Sequence, residues 1–218
     1  MGNLSERKKR AKEISKKLKE LFPDAKIALN FKNDWELLVA VILSAQCTDK
    51  KVNEVTEKLF KKYRKLDDYA GADIGEFEKD IYQTGFYRAK AKNVLASAKI
   101  IKEKYKGKVP CEMGKLVELP GVARKTANIV LGNACGVVEG IAVDTHVRRL
   151  AIKLGLTDEW KNTDKIEKDL MEIFPKDEWN KITYGLIEYG RQICPRRKHV
   201  CEEHPLSKIY PKAADIWP

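Results

Sequence analysis

The sequence lacks an apolar run long enough to cross a bilayer. A membrane-spanning helix needs about 20 consecutive apolar residues, and no stretch of the 218 residues approaches that length. The first residues, Met-Gly-Asn-Leu-Ser-Glu, contain no apolar signal core, and their serine stands one place too early for the myristoylation pattern. We therefore expect a cytoplasmic protein without a membrane partner.

Cysteine is scarce. The five cysteines are Cys47, Cys111, Cys135, Cys194 and Cys201, an odd number with scattered spacing. Small secreted domains instead carry dense, even-numbered cysteine frameworks. The sequence therefore predicts reduced thiols.

Alternation of apolar and polar residues, which is typical of half-buried strands, is also missing. We find no internal repeat and no linker that divides the chain cleanly. Apolar residues recur at helical spacing instead, and Pro23 and Gly155 are placed to end two of the helices. The pattern predicts an all-α protein with helices over residues 5–21, 35–45, 49–63, 89–105, 113–119, 125–134, 145–154, 163–173 and 179–190.

Acidic residues are outnumbered by basic ones. The chain has 43 Lys and Arg against 32 Asp and Glu, which gives a net charge of +11 and a pI near 9.3. Such an excess favours a polyanionic partner, either nucleic acid or an anionic membrane surface. From charge alone, a lysine-rich surface with no such partner is equally compatible.

The most informative segment is Leu-Pro-Gly-Val-Ala-Arg-Lys-Thr-Ala-Asn-Ile-Val at 119–130, followed by Asp144 in Val-Asp-Thr-His-Val-Arg-Arg. Pro120 fixes the entry dihedral, and Gly121 permits a turn that other residues disfavour. Lys125 and Thr126 then fall in the first turn of a helix, where free N–H groups and the helix dipole attract phosphate. An ordinary connector between two helices is the alternative interpretation.

These residues resemble the endonuclease III family of base-excision DNA glycosylases, whose motif is a helix-hairpin-helix followed by a Gly/Pro-rich loop and an Asp. Three other segments fit in the same order: Leu-Ser-Ala-Gln-Cys-Thr-Asp at 43–49, Gly-Phe-Tyr-Arg-Ala-Lys-Ala at 85–91 and Tyr-Gly-Arg-Gln-Ile-Cys at 189–194. The resemblance implies two helical lobes with a DNA-binding cleft between them. Residues 27–137 would form the continuous lobe with the hairpin, and residues 1–26 and 138–218 the second lobe.

The resemblance implies a bifunctional DNA glycosylase and abasic-site lyase that removes oxidised pyrimidines. Its partner would be double-stranded DNA with damaged bases or abasic sites, and we expect a monomer located at the nucleoid. Lys125 corresponds to the family's nucleophile, and we expect partial burial and the neighbouring Arg124 to lower its pKa. Asp144 would stabilise the cationic sugar and help to deprotonate the lysine, a role compatible with capping the next helix.

Two alternatives to this function stay open. One is a preference for other lesions or for mismatches, although the adenine-removing relatives lack a lysine at the position of Lys125. The other is a DNA-binding module without catalysis, which would need neither Lys125 nor Asp144.

The remaining site residues fall into two groups. Gln46 and Phe86 would fill the gap that an extruded base leaves, and His146 would lie near the base pocket. Phe86 could instead be a core aromatic, and His146 could equally make only a structural hydrogen bond. The predicted DNA contacts, for which a solvated surface is the alternative, are Gly121, Ala123, Thr126, Arg148, Arg149, Arg196, Arg197 and Lys198. Ala123 stands where the family usually has a second glycine.

The C-terminal segment departs from the family. Its members commonly hold a [4Fe–4S] cluster on four cysteines, with six, two and five residues between successive ligands. Cys194 and Cys201 match the first spacing, but His204 and Tyr210 occupy the third and fourth positions, and such clusters need thiolates. We expect no iron–sulfur cluster. Zinc at Cys194, Cys201 and His204 is not expected either, because a structural zinc needs four ligands and we see no obvious fourth.

Overall fold

The structure is a computed structural model that describes residues 3–217. Met1, Gly2 and Pro218 lie outside it, and with them the Met-Gly start considered for lipidation and the extreme ends of the predicted second lobe. The helices are α1 (Leu4–Leu21), α2 (Asp34–Leu43), α3 (Asp49–Lys62), α4 (Leu66–Ala70), α5 (Ile74–Ile81), α6 (Tyr87–Lys104), α7 (Met113–Val117), α8 (Arg124–Val130), α9 (Thr145–Lys153), α10 (Thr163–Ile173), α11 (Trp179–Gln192) and α12 (Pro205–Ile209).

The prediction of an all-α protein is confirmed, since residues 3–217 contain no strand. Helix α8 continues into one π-helical turn at Leu131–Cys135. Helices α4, α5 and α12 were not predicted. They have 5, 8 and 5 residues, which is too short for a 3.6-residue period to become visible. Within the described residues, no helix has the length and apolarity that a bilayer crossing requires.

Several helices begin where a polar side chain caps their first turn. Asn33, Thr48, Asp73 and Asn162 each accept a hydrogen bond from a backbone N–H of the helix that follows. Such caps satisfy N–H groups that have no partner inside the helix. These boundaries are therefore fixed by local sequence.

Residues 28–139 form one compact unit. Helix α2 is almost entirely buried in it. The rings of Trp35, Tyr63 and Phe77 surround Tyr69, with centroids 5.1–5.9 Å from its own. Helix α6 packs against α2, α4 and α5, so its buried face is a natural support for the loops of this unit.

Residues 3–27 and 140–217 form the other unit, which joins the N-terminal helix to the C-terminal third of the chain. Helix α1 packs closely on α11 because Gly185 has no side chain; a Cβ there would lie 3.2 Å from the Cβ of Leu18. The guanidinium of Arg10 donates to the carbonyl of Gly155 over 2.6 Å and lies 3.9 Å from the ring centre of Tyr210. The assignment of the two units to functional lobes stays a prediction.

The expectation of reduced thiols is wrong for two cysteines. Cys111 and Cys135 form a disulfide with a Cα–Cα distance of 5.7 Å, whereas Cys47, Cys194 and Cys201 are free. The bond links the segment before α7 to the turn after α8 and so encloses the hairpin. Cysteine spacing could not reveal this pairing, because it depends on how the two helices fold back on each other.

We predict that the double variant Cys111→Ser/Cys135→Ser loses about 3 kcal/mol of unfolding free energy. The disulfide closes a loop with a sequence separation of 24 and thereby restricts the unfolded chain. Urea unfolding under non-reducing conditions measures the difference, with Cys47→Ser as the matched control. Equal midpoints for the double variant and the oxidised wild type would contradict the prediction.

Candidate active site

The hairpin turn is held from behind by helix α6. Gly121 has φ +80°, and a Cβ there would lie 2.7 Å from the side-chain nitrogen of Asn93. The hydroxyl of Ser97 donates to the carbonyl of Pro120 over 3.2 Å. Glycine is therefore required at position 121 by its backbone angle and by the close approach of Asn93.

Helix α8 begins directly after this turn. Its N-cap residue, Ala123, forms no side-chain cap, and a helix N-terminus attracts phosphate through its first-turn N–H groups and its dipole. Lys125 is exposed, because the buried face of α8 is carried by residues such as Ala127 and Val130. The predicted partial burial of Lys125 is therefore wrong for the protein without DNA.

Asp144 is the N-cap of helix α9. Its Oδ1 accepts a hydrogen bond of 2.8 Å from the backbone N–H of Val147, and the residue is half-buried. The three residues before it, 141–143, are buried and hold the start of the helix in place. The cap engages Oδ1 only, so Oδ2 stays outside this bond.

His146 lies two residues farther along, half-buried against helix α11. Gly190 makes room for the ring, since a Cβ there would lie 2.6 Å from Nδ1 of His146. Burial lowers the pKa of His146; Arg149 lowers it further, whereas Asp144 opposes the shift. The imidazole is therefore mainly neutral at physiological pH.

The structure contradicts the predicted phosphate contact of Arg149. This residue is only 7% exposed, and its guanidinium donates to the carbonyl of Cys194 over 2.6 Å. A guanidinium held in this way supports the chain around Cys194 instead of facing solvent. Arg148, by contrast, is exposed, and its DNA contact stays a prediction.

Gln46 and Phe86, the two predicted base-extrusion residues, share an unusual backbone. Their φ angles are +52° and +47°, in the left-handed region that costs a non-glycine residue about 1–3 kcal/mol. Both are exposed, and Phe86 is 65% exposed, which excludes the core-aromatic alternative. Exposed residues with a strained backbone of this kind are typical of functional positions.

The turns that carry these two residues are joined by Lys90 of helix α6. The residue is 4% exposed, and its ammonium donates to the carbonyls of Leu43 and Thr84 over 2.8 and 2.7 Å. Leu43 comes three residues before Gln46, and Thr84 two residues before Phe86. Burial lowers the pKa of Lys90. Sequence analysis missed this residue, although it shares a helix face with Val94 of the apolar stripe.

The C-terminal loop brings together more metal-binding groups than we predicted. Ligand atoms of Cys194, His199, Cys201 and His204 all lie within 4.8 Å of one another. His199 is the fourth donor that sequence analysis missed, although its spacing from the two cysteines was visible. Between the cysteines, the side chains of Arg196, Arg197 and Lys198 are exposed as expected.

Residues 39–176 match the family described as HhH-GPD superfamily base excision DNA repair protein. Endonuclease III of Synechocystis sp. is 46% identical over 98% of this chain and 97% of its own length. The chain belongs to the endonuclease III family. Endonuclease III of Bacillus subtilis is likewise 46% identical, over 88% of both chains.

Solved structures agree with this assignment. A non-covalent endonuclease III–DNA complex and a trapped endonuclease III–DNA covalent intermediate each contain a chain 41% identical to this one. Each match has a TM-score of 0.90 and covers 95% of this chain and 97% of the other. A thermostable thymine-DNA glycosylase has 23% identity to this chain and a TM-score of 0.78. This similarity shows a shared fold only.

We predict that Lys90→Met lowers the unfolding free energy by about 1–3 kcal/mol, because two buried carbonyls lose their donor. Lys92→Met, at an exposed position of the same helix, is the matched control and should have almost no effect. Urea unfolding measures both variants.

The difference in unfolding free energy between wild type and Lys90→Met should depend on pH. The folded-state pKa of Lys90 is lowered, so the unfolded chain binds its proton more tightly between the two pKa values. Wild type should therefore gain stability relative to Lys90→Met as the pH rises through that interval towards the ordinary lysine pKa. A difference that shrinks with rising pH would contradict the lowered pKa of Lys90 in the folded protein.

Proposed function

We propose that this chain is a bifunctional DNA glycosylase and abasic-site lyase of base excision repair that removes oxidised pyrimidines from double-stranded DNA. The observation that carries the proposal is Lys125, an exposed amine in the first turn of the helix that follows the hairpin, at an N-terminus without a side-chain cap. A chain 41% identical has been trapped as a covalent intermediate with DNA, which supports the same chemistry here.

In the proposed reaction, the neutral amine of Lys125 attacks C1′ of the damaged nucleotide and the glycosidic bond breaks. The base leaves with one proton of the amine. The C1′–O4′ bond of the sugar then opens, the second amine proton passes to O4′, and the lysine is joined to C1′ as an imine. The imine acidifies C2′; loss of a C2′ proton then expels the 3′ phosphate by β-elimination. Water hydrolyses the imine and frees the enzyme.

Lys125 is exposed without DNA, and bound DNA would cover its side chain. Asp144, whose Oδ2 stays outside the helix cap, would take part in removing the proton. Its carboxylate would also stabilise the positive charge that develops on the sugar.

Base extrusion is the proposed role of Gln46 and Phe86. The flat ring of Phe86, held outward by its left-handed backbone, suits a wedge that stacks on the orphaned base. His146, mainly neutral, would face the base pocket. The proposed phosphate contacts are Gly121, Ala123, Thr126, Arg148, Arg196, Arg197 and Lys198.

We also propose a role for each of the two lobes, and an oligomeric state and a location for the protein. The lobe at 27–137 would carry the hairpin and both extrusion turns, and residues 1–26 with 138–218 would carry Asp144 and the basic C-terminal loop. The protein would act as a monomer at the nucleoid, where its substrate lies.

We also propose that this chain lacks the iron–sulfur cluster of its family. The third and fourth cluster positions hold His204 and Tyr210. The ring of Tyr210 lies against the guanidinium of Arg10 and the backbone of Gly155. Two thiolates and an engaged phenol do not match the four thiolates of a [4Fe–4S] cluster.

Borohydride should trap the wild-type protein covalently on abasic DNA, because it reduces a lysine imine. Lys125→Ala should abolish trapping with little loss of DNA binding, whereas Lys92→Ala, an exposed lysine of α6, should be trapped like wild type. Denaturing gels with labelled DNA give the result. Full trapping of Lys125→Ala would move the nucleophile to another residue.

Asp144→Asn should slow base removal by about 10²–10³ under single-turnover conditions, the usual effect of losing one well-placed electrostatic group. Stability should change little, because Asn caps a helix about as well as Asp. Asp73→Asn, at the N-cap of α5, controls for capping alone. If both variants keep the wild-type rate, Asp144 has only the structural role.

A further inference from the structure

The strongest unassigned feature of the molecule is the group of two thiols and two imidazoles at residues 194–204. Cys194 and Cys201 are each 1% exposed, and the ligand atoms of all four side chains lie within 4.8 Å of one another. A tetrahedral zinc ion with Zn–S of about 2.3 Å and Zn–N of about 2.0–2.1 Å needs ligand atoms about 3.3–3.8 Å apart. We propose that Cys194, His199, Cys201 and His204 bind one structural zinc ion.

The orientation of His199 supports this assignment. Its Nδ1 lies 2.6 Å from the carbonyl oxygen of Arg197, an acceptor, so Nδ1 carries the proton and donates it. The other nitrogen, Nε2, is then the one with a lone pair, and it lies 3.3 Å from Sγ of Cys201. Zinc-bound histidines are commonly fixed by such a bond from the non-ligating nitrogen to a backbone carbonyl.

His204 supplies an independent observation. Its Nδ1 is buried and has no hydrogen-bond partner among residues 3–217. The ring stacks on His199, with centroids 5.0 Å apart and planes 29° apart. Buried polar atoms are nearly always satisfied in native proteins, and a metal ion in the centre of this group would satisfy the nitrogen.

The surroundings enclose the four donors. A guanidinium N–H of Arg149 donates to Sγ of Cys194 over 3.6 Å, which holds the sulfur in place. Trp217 meets the ring of His199 edge-on at 5.0 Å. The buried ammonium of Lys153 lies 3.8 Å from the ring centre of Trp217, so the C-terminal segment is held over the site.

The compactness of the group separates zinc from iron–sulfur chemistry. The ligands of a four-iron cluster bind four different irons and therefore lie farther apart than the ligands of a single ion. A two-iron centre with two histidines places sulfur and nitrogen on different irons, whereas Nε2 of His199 and Sγ of Cys201 are 3.3 Å apart. This separation fits two ligands of a single tetrahedral ion, and zinc is the usual occupant of a Cys₂His₂ site.

The zinc ion would clamp a loop that has no regular secondary structure between α11 and α12. Residues 195–200 would be closed into a knuckle whose exposed side carries Arg196, Arg197 and Lys198. The site is therefore structural in this proposal, and its existence does not depend on the glycosylase activity.

The test is elemental analysis of untagged full-length protein grown with zinc and iron both supplied. One zinc per chain is expected, with neither iron nor acid-labile sulfide. Cobalt(II) added to chelator-treated protein should give the visible absorption of a tetrahedral thiolate complex.

His199→Ala and Cys201→Ser should bind zinc at least about 100-fold more weakly, since even loss of an outer partner costs about 10–100-fold. The control variant Cys47→Ser should retain one zinc per chain.

If the variants fail to fold, the proposal can still be tested with the wild-type protein. Competition between the chelator-treated wild type and a chromophoric zinc chelator reports the affinity directly, with circular dichroism as the check on folding. Stoichiometric iron and sulfide, or a folded wild type that takes up no zinc from excess zinc chloride, would overturn the proposal. None of these measurements uses DNA, so their failure would leave the proposed enzyme function untouched.

Discussion

One face of helix α6 organises the unit formed by residues 28–139. Lys90, Asn93 and Ser97 lie at helical spacing on this face; Lys90 meets two turns, and Asn93 and Ser97 both meet the hairpin turn. Lys90 joins the turns of Gln46 and Phe86 through two carbonyls, Asn93 fills the space beside Gly121, and Ser97 donates to Pro120. The hairpin and both strained turns are thus supported by one helix, which would hold the proposed nucleophile and the proposed base-extrusion residues in fixed positions.

Helix α9 has a comparable role in the other unit. Its N-cap is Asp144, and its next residues place His146 against Gly190. Farther along, Arg149 holds the backbone of Cys194, and Lys153 lies over Trp217. The helix that begins with a proposed catalytic carboxylate therefore also anchors the C-terminal loop, so a disturbance of that loop would reach the start of α9 through Arg149.

The parts of the molecule that could be predicted are those that local sequence determines. Long amphipathic helices, the glycine of the hairpin and the capping role of Asp144 follow from periodicity, backbone angles and residue chemistry. The disulfide, the burial of Arg149 and the bridging by Lys90 depend on distant segments that meet only in the fold. His199 is an intermediate case. Its spacing from the two cysteines is visible in the sequence, but only the loop conformation shows that its Nε2 turns towards Sγ of Cys201.

Lys125 is exposed in the folded protein, so its amine is accessible to a bound nucleotide. The burial that the sequence predicted for this residue would have to come from the DNA itself.

The central claim, that an amine in this chain removes damaged pyrimidines and cuts the strand, is tested most directly by nicking assays. Duplexes with thymine glycol, dihydrouracil, uracil or an abasic site would be compared side by side. The account predicts strand cleavage with the β-elimination product at thymine glycol, dihydrouracil and the abasic site. Release of a base with the strand left intact, or cleavage of none of these duplexes, would contradict it.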